Sequence, residues 1–412
     1  MRQALLLLLI FATSLVANAQ KDTAYPHSEW DYAKEILMHT PGEELFDGVI
    51  HPYAGLFEYY FDVDAAAEEH RGYIKALEAN GIKVHTVKEL LNQVPIEKLR
   101  ACAMKTLTYD TKNMPDITPE ATEEYRQYVI GEMSRADLIR CILLRPTVNL
   151  HKSDLNTGFE AVYTHSPLMN LYFTRDQSIT TPCGHVISFM NSTQRAYETE
   201  IISLCYEQLG VKPILTIMGD GRLEGGDYLR GGTISYIGCG MRTNIEAIKQ
   251  IMEADAFGHD TIAVVNDHKW WQMQMHLDTY FNIIDKDLCT LVESRYYAKE
   301  GDPEWVTVDL YTRKNGEKEY KLTRKDVSFI EFLKERGFTI IPISQKDELH
   351  YANNFLTVGP RHILAVGNQS KELQESLDKH GVKVEWIPLE TLIKGYGAAH
   401  CMTQVIRVKL AK

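Results

Sequence analysis

The chain is poor in basic residues relative to acidic ones. Its 412 residues include 44 Lys and Arg against 56 Asp and Glu, which gives a formal net charge of −12. A protein with this balance has no electrostatic attraction for a polyanion, so we expect no nucleic-acid partner. No phosphate-binding glycine loop and no low-complexity segment occurs in the sequence. The acidic balance agrees with a cationic small substrate, although solvated surface carboxylates account for most acidic compositions.

Cysteine is scarce, and its spacing shows no framework. The sequence has seven cysteines, with no CxxC pair and no cysteine-rich zinc pattern. We therefore predict no cysteine-rich zinc site. Cys102, Cys141 and Cys205 lie in apolar helical patterns, where a buried single thiol is the expected state.

Long hydrophobic runs are missing after the first residues of the chain. Leu5 to Val16 is apolar, Arg2 precedes it, and the small residues Ala17 and Ala19 flank Asn18. This arrangement is typical of a secretory signal peptide, and the apolar run is too short to span a bilayer comfortably. We expect an exported protein, cleaved after Ala19, with no membrane attachment after cleavage.

Strand patterns outnumber helical ones and alternate with them, which indicates an α/β fold. From about residue 88 to 146 the periodicity is helical throughout, and we interpret this stretch as an insertion in one catalytic domain, residues 20–412. A repeated strand-strand-helix-strand unit is compatible with the remaining pattern. Asn170–Asp176 and Gln274–Ile284 are predicted as strands, and Lys325–Arg336 as a helix.

One cysteine stands apart from the others. Cys401 follows a loop of small residues that begins at Gly395, and an apolar β pattern starts at Val405. Glycine lets the backbone approach a ligand without a Cβ clash, so the thiol is well placed to act as a nucleophile. A small buried thiol at the start of a strand has the same appearance in sequence.

Three further segments carry chemistry-bearing side chains. His276 and Asp278 are two residues apart, a spacing that puts them on one face of a strand and suits an acid/base histidine beside a carboxylate. Asp176 closes an apolar run, and Glu224 precedes a pair of glycines. Each segment also has an ordinary explanation. His276 and Asp278 could lie on a solvated strand face, Asp176 could form a surface ion pair with Arg175, and the glycines after Glu224 could simply make a turn. A metal site is a further alternative, but only one histidine is at hand.

The segments around Asp176, Glu224, His276 and Cys401 are more informative together than singly. They read NLYFTRD from residue 170, EGGD from 224, HLDTYF from 276 and HCMT from 400, in this order along one chain. This set resembles the arginine deiminases of the guanidino-group-modifying superfamily, and the likeness runs from about Ile36 to the C-terminus, helical insertion included. The resemblance implies a five-bladed pseudo-symmetric α/β propeller, the pentein fold, with a central active site and no cofactor.

The resemblance also implies a reaction and a role for each residue. Free L-arginine is hydrolysed to citrulline and ammonia through a covalent thiouronium on Cys401. His276 is the acid/base that Glu224 orients, while Asp176 and Asp278 clamp the guanidinium. Asn170, Arg195 and Arg242 are implied to hold the α-amino-acid end of the substrate, and Phe173 is implied to pack on its guanidinium side. Gly395 is also implied to bind substrate.

Part of the closing loop departs from the family pattern. Tyr396 stands where a basic residue is usual, and Ala398 and Ala399 replace glycines. The departure concerns gating and the substrate's end group rather than the covalent chemistry. An amidinotransferase, a deiminase of agmatine or peptidyl-arginine, and a binding protein that delivers cationic amino acids to a transporter remain open. A homo-oligomer is also compatible with the sequence.

Overall fold

The computed structural model describes residues 24–314 and 317–411. The predicted signal peptide, residues 1–19, lies outside these ranges. Within them, no helix combines the length and the apolar composition that crossing a membrane requires.

One small unit recurs five times in the described ranges. Its first two strands are antiparallel, and its third strand pairs in parallel with the second after a helical crossover. The strands are β1 (Tyr32–Met38), β2 (Lys83–Thr86), β3 (Thr108–Asn113), β4 (Pro146–Lys152), β5 (Phe159–His165), β6 (Ser178–Thr181), β7 (Gly184–Ile187), β8 (Leu215–Thr216), β9 (Tyr228–Arg230), β10 (Ser235–Cys239), β11 (Thr261–Asn266), β12 (Phe281–Asp285), β13 (Leu288–Val292), β14 (Thr307–Thr312), β15 (Lys321–Ser328), β16 (Thr339–Ile343), β17 (Leu356–Gly359), β18 (His362–Val366), β19 (Lys383–Ile387) and β20 (Gln404–Lys409). The units are β20-β1-β2, β6-β7-β8, β9-β10-β11, β12-β13-β16 and β17-β18-β19.

Helices fill the crossovers and the segments around them. They are α1 (Glu43–Val49), α2 (Val63–Ala79), α3 (Val87–Leu91), α4 (Ile96–Thr106), α5 (Pro119–Glu132), α6 (Arg135–Leu144), α7 (Glu198–Gln208), α8 (Ile245–Glu253), α9 (Leu277–Tyr280), α10 (Glu293–Tyr296), α11 (Phe329–Glu335), α12 (Gln345–Glu348) and α13 (Lys371–Lys379). Helix α8 is an example of how these helices pack. Ala247, Ile248 and Ile251 lie on one face of the helix and are fully buried.

The segment interpreted as a helical insertion contains α3 to α6, but it is not helical throughout. Thr118 caps α5 by accepting from the Ala121 N–H, and Pro119 opens the helix, as the sequence predicts. Thr108–Asn113, however, is a strand and forms a separate sheet in the order β3-β4-β5. The boundaries of the insertion and of the catalytic domain remain predictions.

Three predicted elements are wrong. Asn170–Asp176 is a series of buried turns, in which the Thr174 hydroxyl donates to the backbone carbonyls of Leu37 and Met402. Its apolar run reflects burial, which periodicity alone does not separate from a strand. Gln274–Ile284 begins with turns and the single-turn helix α9, and becomes a strand only at Phe281.

The third error concerns Lys325–Arg336. Residues up to Ser328 belong to β15, and only Phe329–Glu335 is helical. Pairing of β15 with β14 overrides the helical propensity of the charged residues, and Ser328 then caps the helix through the Glu331 N–H.

Polar side chains join the first strands of neighbouring units. The Gln404 amide in β20 donates to the Arg175 and Ser178 carbonyls beside β6, while the Asn282 amide in β12 donates to the Asn353 and Phe355 carbonyls beside β17. Side chains that satisfy buried backbone carbonyls fix the neighbouring loops in place. These loops carry the site.

Candidate active site

The predicted site residues come from equivalent places in the repeating unit. Each unit contributes the few residues that immediately precede its first strand. Cys401 precedes β20, Asp176 precedes β6, Glu224 precedes β9 and Asp278 precedes β12. In the fifth unit the corresponding position before β17 is held by Asn354, which our sequence analysis did not select.

Asn354 fixes the loop that carries the thiol. Its Oδ1 accepts the backbone N–H groups of Ala398 (2.9 Å) and Cys401 (3.1 Å), and its amide donates to the Asp278 carbonyl at 3.3 Å. Gly397 lies so close to Cys401 that an added Cβ would come within 3.1 Å of the sulfur. The glycine therefore serves close packing at the nucleophile, in agreement with the sequence-based argument.

The Cys401 thiol is buried beside a carboxylate. Its Sγ lies 3.5 Å from Oδ2 of Asp278, and the residue is 2% exposed. Burial, together with the charges of Asp278 and Asp176, raises the pKa of Cys401 well above its usual value. The thiol is thus protonated at neutral pH until a positive charge enters the site.

His276 and Glu224 form a buried acid–base pair. The Nε2 atom of His276 lies 2.9 Å from Oε2 of Glu224, and Nδ1 lies 3.7 Å from Oδ1 of Asp176. Burial by itself disfavours the imidazolium, but the charge of Asp176 and the hydrogen bond to Glu224 raise the pKa of His276 to about 9. His276 caps α9 rather than lying in a strand, so the predicted shared strand face with Asp278 is wrong, although both side chains reach the site.

Asp176 already binds a guanidinium, that of Arg195. Nη1 of Arg195 lies 2.7 Å from Oδ2 of Asp176, and Nη2 lies 2.9 Å from Oε2 of Glu198. Nη1 is also 4.0 Å from Glu224. Arg195, which was predicted to bind the substrate, therefore lies in the site as a counter-ion for three buried carboxylates.

The remaining predicted residues surround a very small cavity. Its volume of about 10 Å³ is close to the minimum for one water molecule, so the cavity is too small for an arginine molecule in this conformation. Arg242 donates to Gln272 at 3.0 Å, and Asn170 donates to the Gly55 carbonyl at 3.1 Å. The cavity is lined by Leu56, Asn170, Phe173, Asp176, Arg195, Arg242, Gln272, Met275, Gly395, Tyr396 and Cys401.

Four of the predicted site residues each have a buried polar atom with no hydrogen-bond partner among the described residues. These atoms are Nδ1 of His276, Oδ1 of Asp278, Oδ1 of Asn170 and Nε of Arg242. Buried polar groups are normally satisfied, so these atoms are available to hydrogen-bond a polar ligand.

Asp176, Glu224 and His276 also have the spacing of a metal site, with ligand atoms within 4.8 Å of one another. Two guanidinium groups compete for the same oxygens: Arg195 contacts Asp176, and Arg242 lies 3.8 Å from Glu224. A divalent cation would have to displace these charges, so the set suits a guanidinium better than a metal.

Sequence reasoning missed a second buried histidine. His400 lies 2.7 Å from Asp278 through its Nδ1 and 3.7 Å from Glu29 through its Nε2. Its position directly before Cys401 was the only signal available. Glu29 gave no signal, because it lies in a polar segment far away in sequence.

The fold and the site together are those of an α/β enzyme with a thiol nucleophile. Its repeated units bring a thiol, an imidazole–carboxylate pair and two further carboxylates together in the protein interior.

Comparison with known proteins identifies the family. The family model described as "Arginine deiminase" matches residues 54–407, and the chain belongs to this family. The family predicted from the sequence is thus confirmed, and with it an amidine hydrolase acting on C–N bonds.

Named relatives agree over nearly full length. The arginine deiminase of Halobacterium salinarum is 27% identical over 92% of this chain and 96% of its own length. The putative arginine deiminase of Mycoplasma pneumoniae is 24% identical over the same shares.

Solved structures share the fold at low identity. The N-terminal domain of ArgZ, a cyanobacterial arginine dihydrolase, matches with a TM-score of 0.55 and 16% identity over 90% of this chain and 97% of that one. DDAH from Pseudomonas aeruginosa, solved with citrulline, matches with a TM-score of 0.54 and 16% identity over 90% and 99%. These matches confirm the α/β fold.

The electrostatics of Cys401 predict a gain of thiol reactivity on loss of a carboxylate. In Asp278→Asn the charge nearest to the sulfur is removed, so the thiol pKa falls and more thiolate is present at pH 8. We expect alkylation of Cys401 by neutral iodoacetamide to become at least about tenfold faster, one pKa unit being a factor of ten in thiolate. Peptide mass spectrometry over time measures the rate.

The matched control is Asp64→Asn, which neutralises an exposed aspartate in α2 and leaves the rate unchanged. Slower alkylation in Asp278→Asn would show that this carboxylate does not set the reactivity of the thiol.

Proposed function

We propose that the protein hydrolyses the guanidino group of free L-arginine to citrulline and ammonia through a covalent thiouronium on Cys401. The observation that carries the proposal is a lone buried thiol placed 3.5 Å from one carboxylate, with no basic residue in hydrogen-bond contact with its sulfur among the described residues. Only a cationic substrate makes such a thiol a good nucleophile. A planar guanidinium provides both the charge and the electrophilic carbon.

Binding and attack follow from the two clamps. Asp278 offers its unpartnered Oδ1, and Asp176 offers a carboxylate that already accepts a guanidinium from Arg195. Paired, charge-assisted hydrogen bonds hold the substrate flat and aim its central carbon at Cys401. The bound positive charge offsets both acids, so the thiol releases its proton to solvent. The thiolate sulfur then forms a bond to the guanidinium carbon, and the C=N π electrons move onto nitrogen to give a tetrahedral adduct.

His276 then moves protons in both halves of the reaction. With a pKa of about 9 it is protonated at neutral pH and donates to the departing amine, which leaves as ammonia. The now neutral imidazole takes a proton from water, which attacks the thiouronium carbon. The carbon–sulfur bond then breaks, the proton of the added hydroxyl passes to the sulfur, and citrulline leaves while the Cys401 thiol is regenerated.

The α-amino-acid end of the substrate is assigned to Arg242, Arg195 and Asn170. Arg242 has a buried Nε with no partner among the described residues, and Asn170 has a free Oδ1. A guanidinium and an amide oxygen suit the carboxylate and the ammonium of a free amino acid. This arrangement favours free arginine over agmatine, which lacks the carboxylate.

The five units are proposed to close into a five-bladed propeller with the site at its centre. The side-chain bridges from β20 to the loop before β6, and from β12 to the loop before β17, support this arrangement. The site residues support it as well, because they come from the same place in every unit. Equivalent loops of five units converge on one site when the units are arranged around a common axis. A homo-oligomer remains a proposal without a surface assigned to it.

Turnover of arginine alone tests the reaction. We expect purified protein to release ammonia and citrulline without an amine acceptor, and to carry an adduct on the Cys401 peptide when quenched during turnover. Ornithine that appears only with an acceptor would identify an amidinotransferase instead. Turnover of arginine methyl ester equal to that of arginine would favour a peptidyl-arginine substrate.

Cys401→Ser is the control for this experiment. It should bind arginine without forming an adduct or product. Arginine binding with no turnover in either form would support a binding protein that serves a transporter.

The pH dependence of kcat/KM tests His276 as the acid. Because the imidazolium is the reactive form, kcat/KM should fall as the pH rises through about 9. In Glu224→Gln one of the charges that raise this pKa is lost, so the alkaline limb moves to lower pH and activity falls about 10²-fold or more. Glu246→Gln, an exposed change in α8, should leave the profile intact; an unmoved limb in Glu224→Gln would exclude this pair as the acid.

We further propose that the enzyme is exported, on the strength of the sequence of residues 1–19 alone. Cell fractionation with N-terminal sequencing should find a chain that starts at Gln20 outside the cytosol. An uncleaved chain in the cytosol would remove the proposal.

A further inference from the structure

His400 is the buried titratable group of the site that the proposed reaction does not use. It is 1% exposed and lies between two carboxylates from distant parts of the chain. Its Nδ1 is 2.7 Å from Oδ2 of Asp278, and its Nε2 is 3.7 Å from Oε2 of Glu29. A carboxylate accepts, so Nδ1 carries the hydrogen and donates it to Asp278.

This hydrogen bond determines what each oxygen of Asp278 can do. Oδ2 accepts from His400 and lies 3.5 Å from the Cys401 sulfur, whereas Oδ1 is buried and has no partner among the described residues. A carboxylate that is held at one oxygen does not rotate about its terminal bond. Oδ1 is thereby kept free for a guanidinium N–H group.

The backbone of His400 is held by Arg175, and an anchored carboxylate, Glu29, lies behind the ring without a hydrogen bond to Nε2 among the described residues. Its carbonyl accepts from Nε of Arg175 at 3.1 Å. Behind the ring, Glu29 binds Arg230 through two side-chain hydrogen bonds of 2.8 and 2.7 Å and accepts the Arg230 N–H at 3.0 Å. The backbone N–H of Glu29 also donates to the Arg230 carbonyl at 3.0 Å. The segment that starts at Ala24 is therefore attached to β9, and its Glu29 lies behind the His400 ring.

We propose, building on the proposed function, that His400 is a positioning residue for Asp278: backed by Glu29, it fixes the carboxylate so that one oxygen faces the substrate guanidinium and the other lies beside the thiol. The charged groups around the imidazole are Asp278 and Glu29 on its two nitrogens, Arg230 behind Glu29 and Arg175 at its carbonyl. Burial alone raises the pKa of Asp278, but the hydrogen bond and charge of His400 lower it. His400 thus also keeps this clamp ionised.

Three substitutions separate this role from simple space filling. His400→Asn keeps a donor near the position of Nδ1, His400→Gln places its amide farther out, toward Glu29, and His400→Leu keeps volume without a donor. In the Cys401→Ser background, we expect His400→Leu and His400→Gln to weaken arginine binding at least about tenfold, the equivalent of one charge-assisted hydrogen bond. His400→Asn should stay within about threefold of its parent.

Alkylation of Cys401 provides a readout that does not need turnover. Without the His400 donor the charge of Asp278 acts on the sulfur uncompensated, so the midpoint of iodoacetamide alkylation against pH should move upward in His400→Leu and less in His400→Asn. The matched control is His362→Leu, because His362 in β18 pairs with Glu385 at the same distance of 2.7 Å. It should change neither quantity.

Each outcome decides the proposal. Arginine binding in His400→Leu equal to that of its parent, or His400→Asn as weak as His400→Leu, overturns the positioning role. If His400→Leu does not fold, the contrast between His400→Asn and His400→Gln carries the same decision. If the unmodified protein does not turn over arginine, the proposed function fails, while the alkylation midpoints still report whether His400 acts on Asp278 and Cys401.

Discussion

The site depends on the cost of burying several carboxylates around one thiol. Asp176, Glu224, Asp278 and Glu198 are each at most 2% exposed, and unpaired charges at such positions are very unfavourable. Every one of them has a cationic or hydrogen-bonding partner in the protein. The negative charges of these carboxylates destabilise the thiolate form of Cys401. In the proposed reaction, the positive charge of the substrate offsets this opposition.

The free-energy cost of burying unpaired carboxylates also explains why an arginine, Arg195, lies in the site. Arg195 neutralises Asp176 and Glu198 and is close to Glu224, so the protein stays folded around these acids when no substrate is bound. In the proposed reaction Asp176 accepts both the substrate guanidinium and Arg195, so part of its negative charge is already neutralised before the substrate binds.

Sequence reasoning succeeded where local chemistry decides and failed where burial decides. The cap at Thr118 follows from short-range rules, and it is present. Asn170–Asp176 failed because a segment buried on all sides has the apolar composition of a strand while its hydrogen bonds go to distant carbonyls. His276 and Asp278 reach the site together although the strand spacing that suggested it does not exist.

One residue that sequence reasoning missed, Asn354, is identified by its place in the repeat rather than by any motif. Four of the five units place a chemically obvious side chain just before the first strand, and the fifth places Asn354, an amide with no reactivity of its own. An alignment of the units to one another would have selected it by position. Glu29 lies outside even that pattern: it precedes β1, the second strand of its unit, and is brought to the site by pairing with Arg230 in another unit. Contacts of this kind exist only once the units are assembled, so no local reading of the chain contains them.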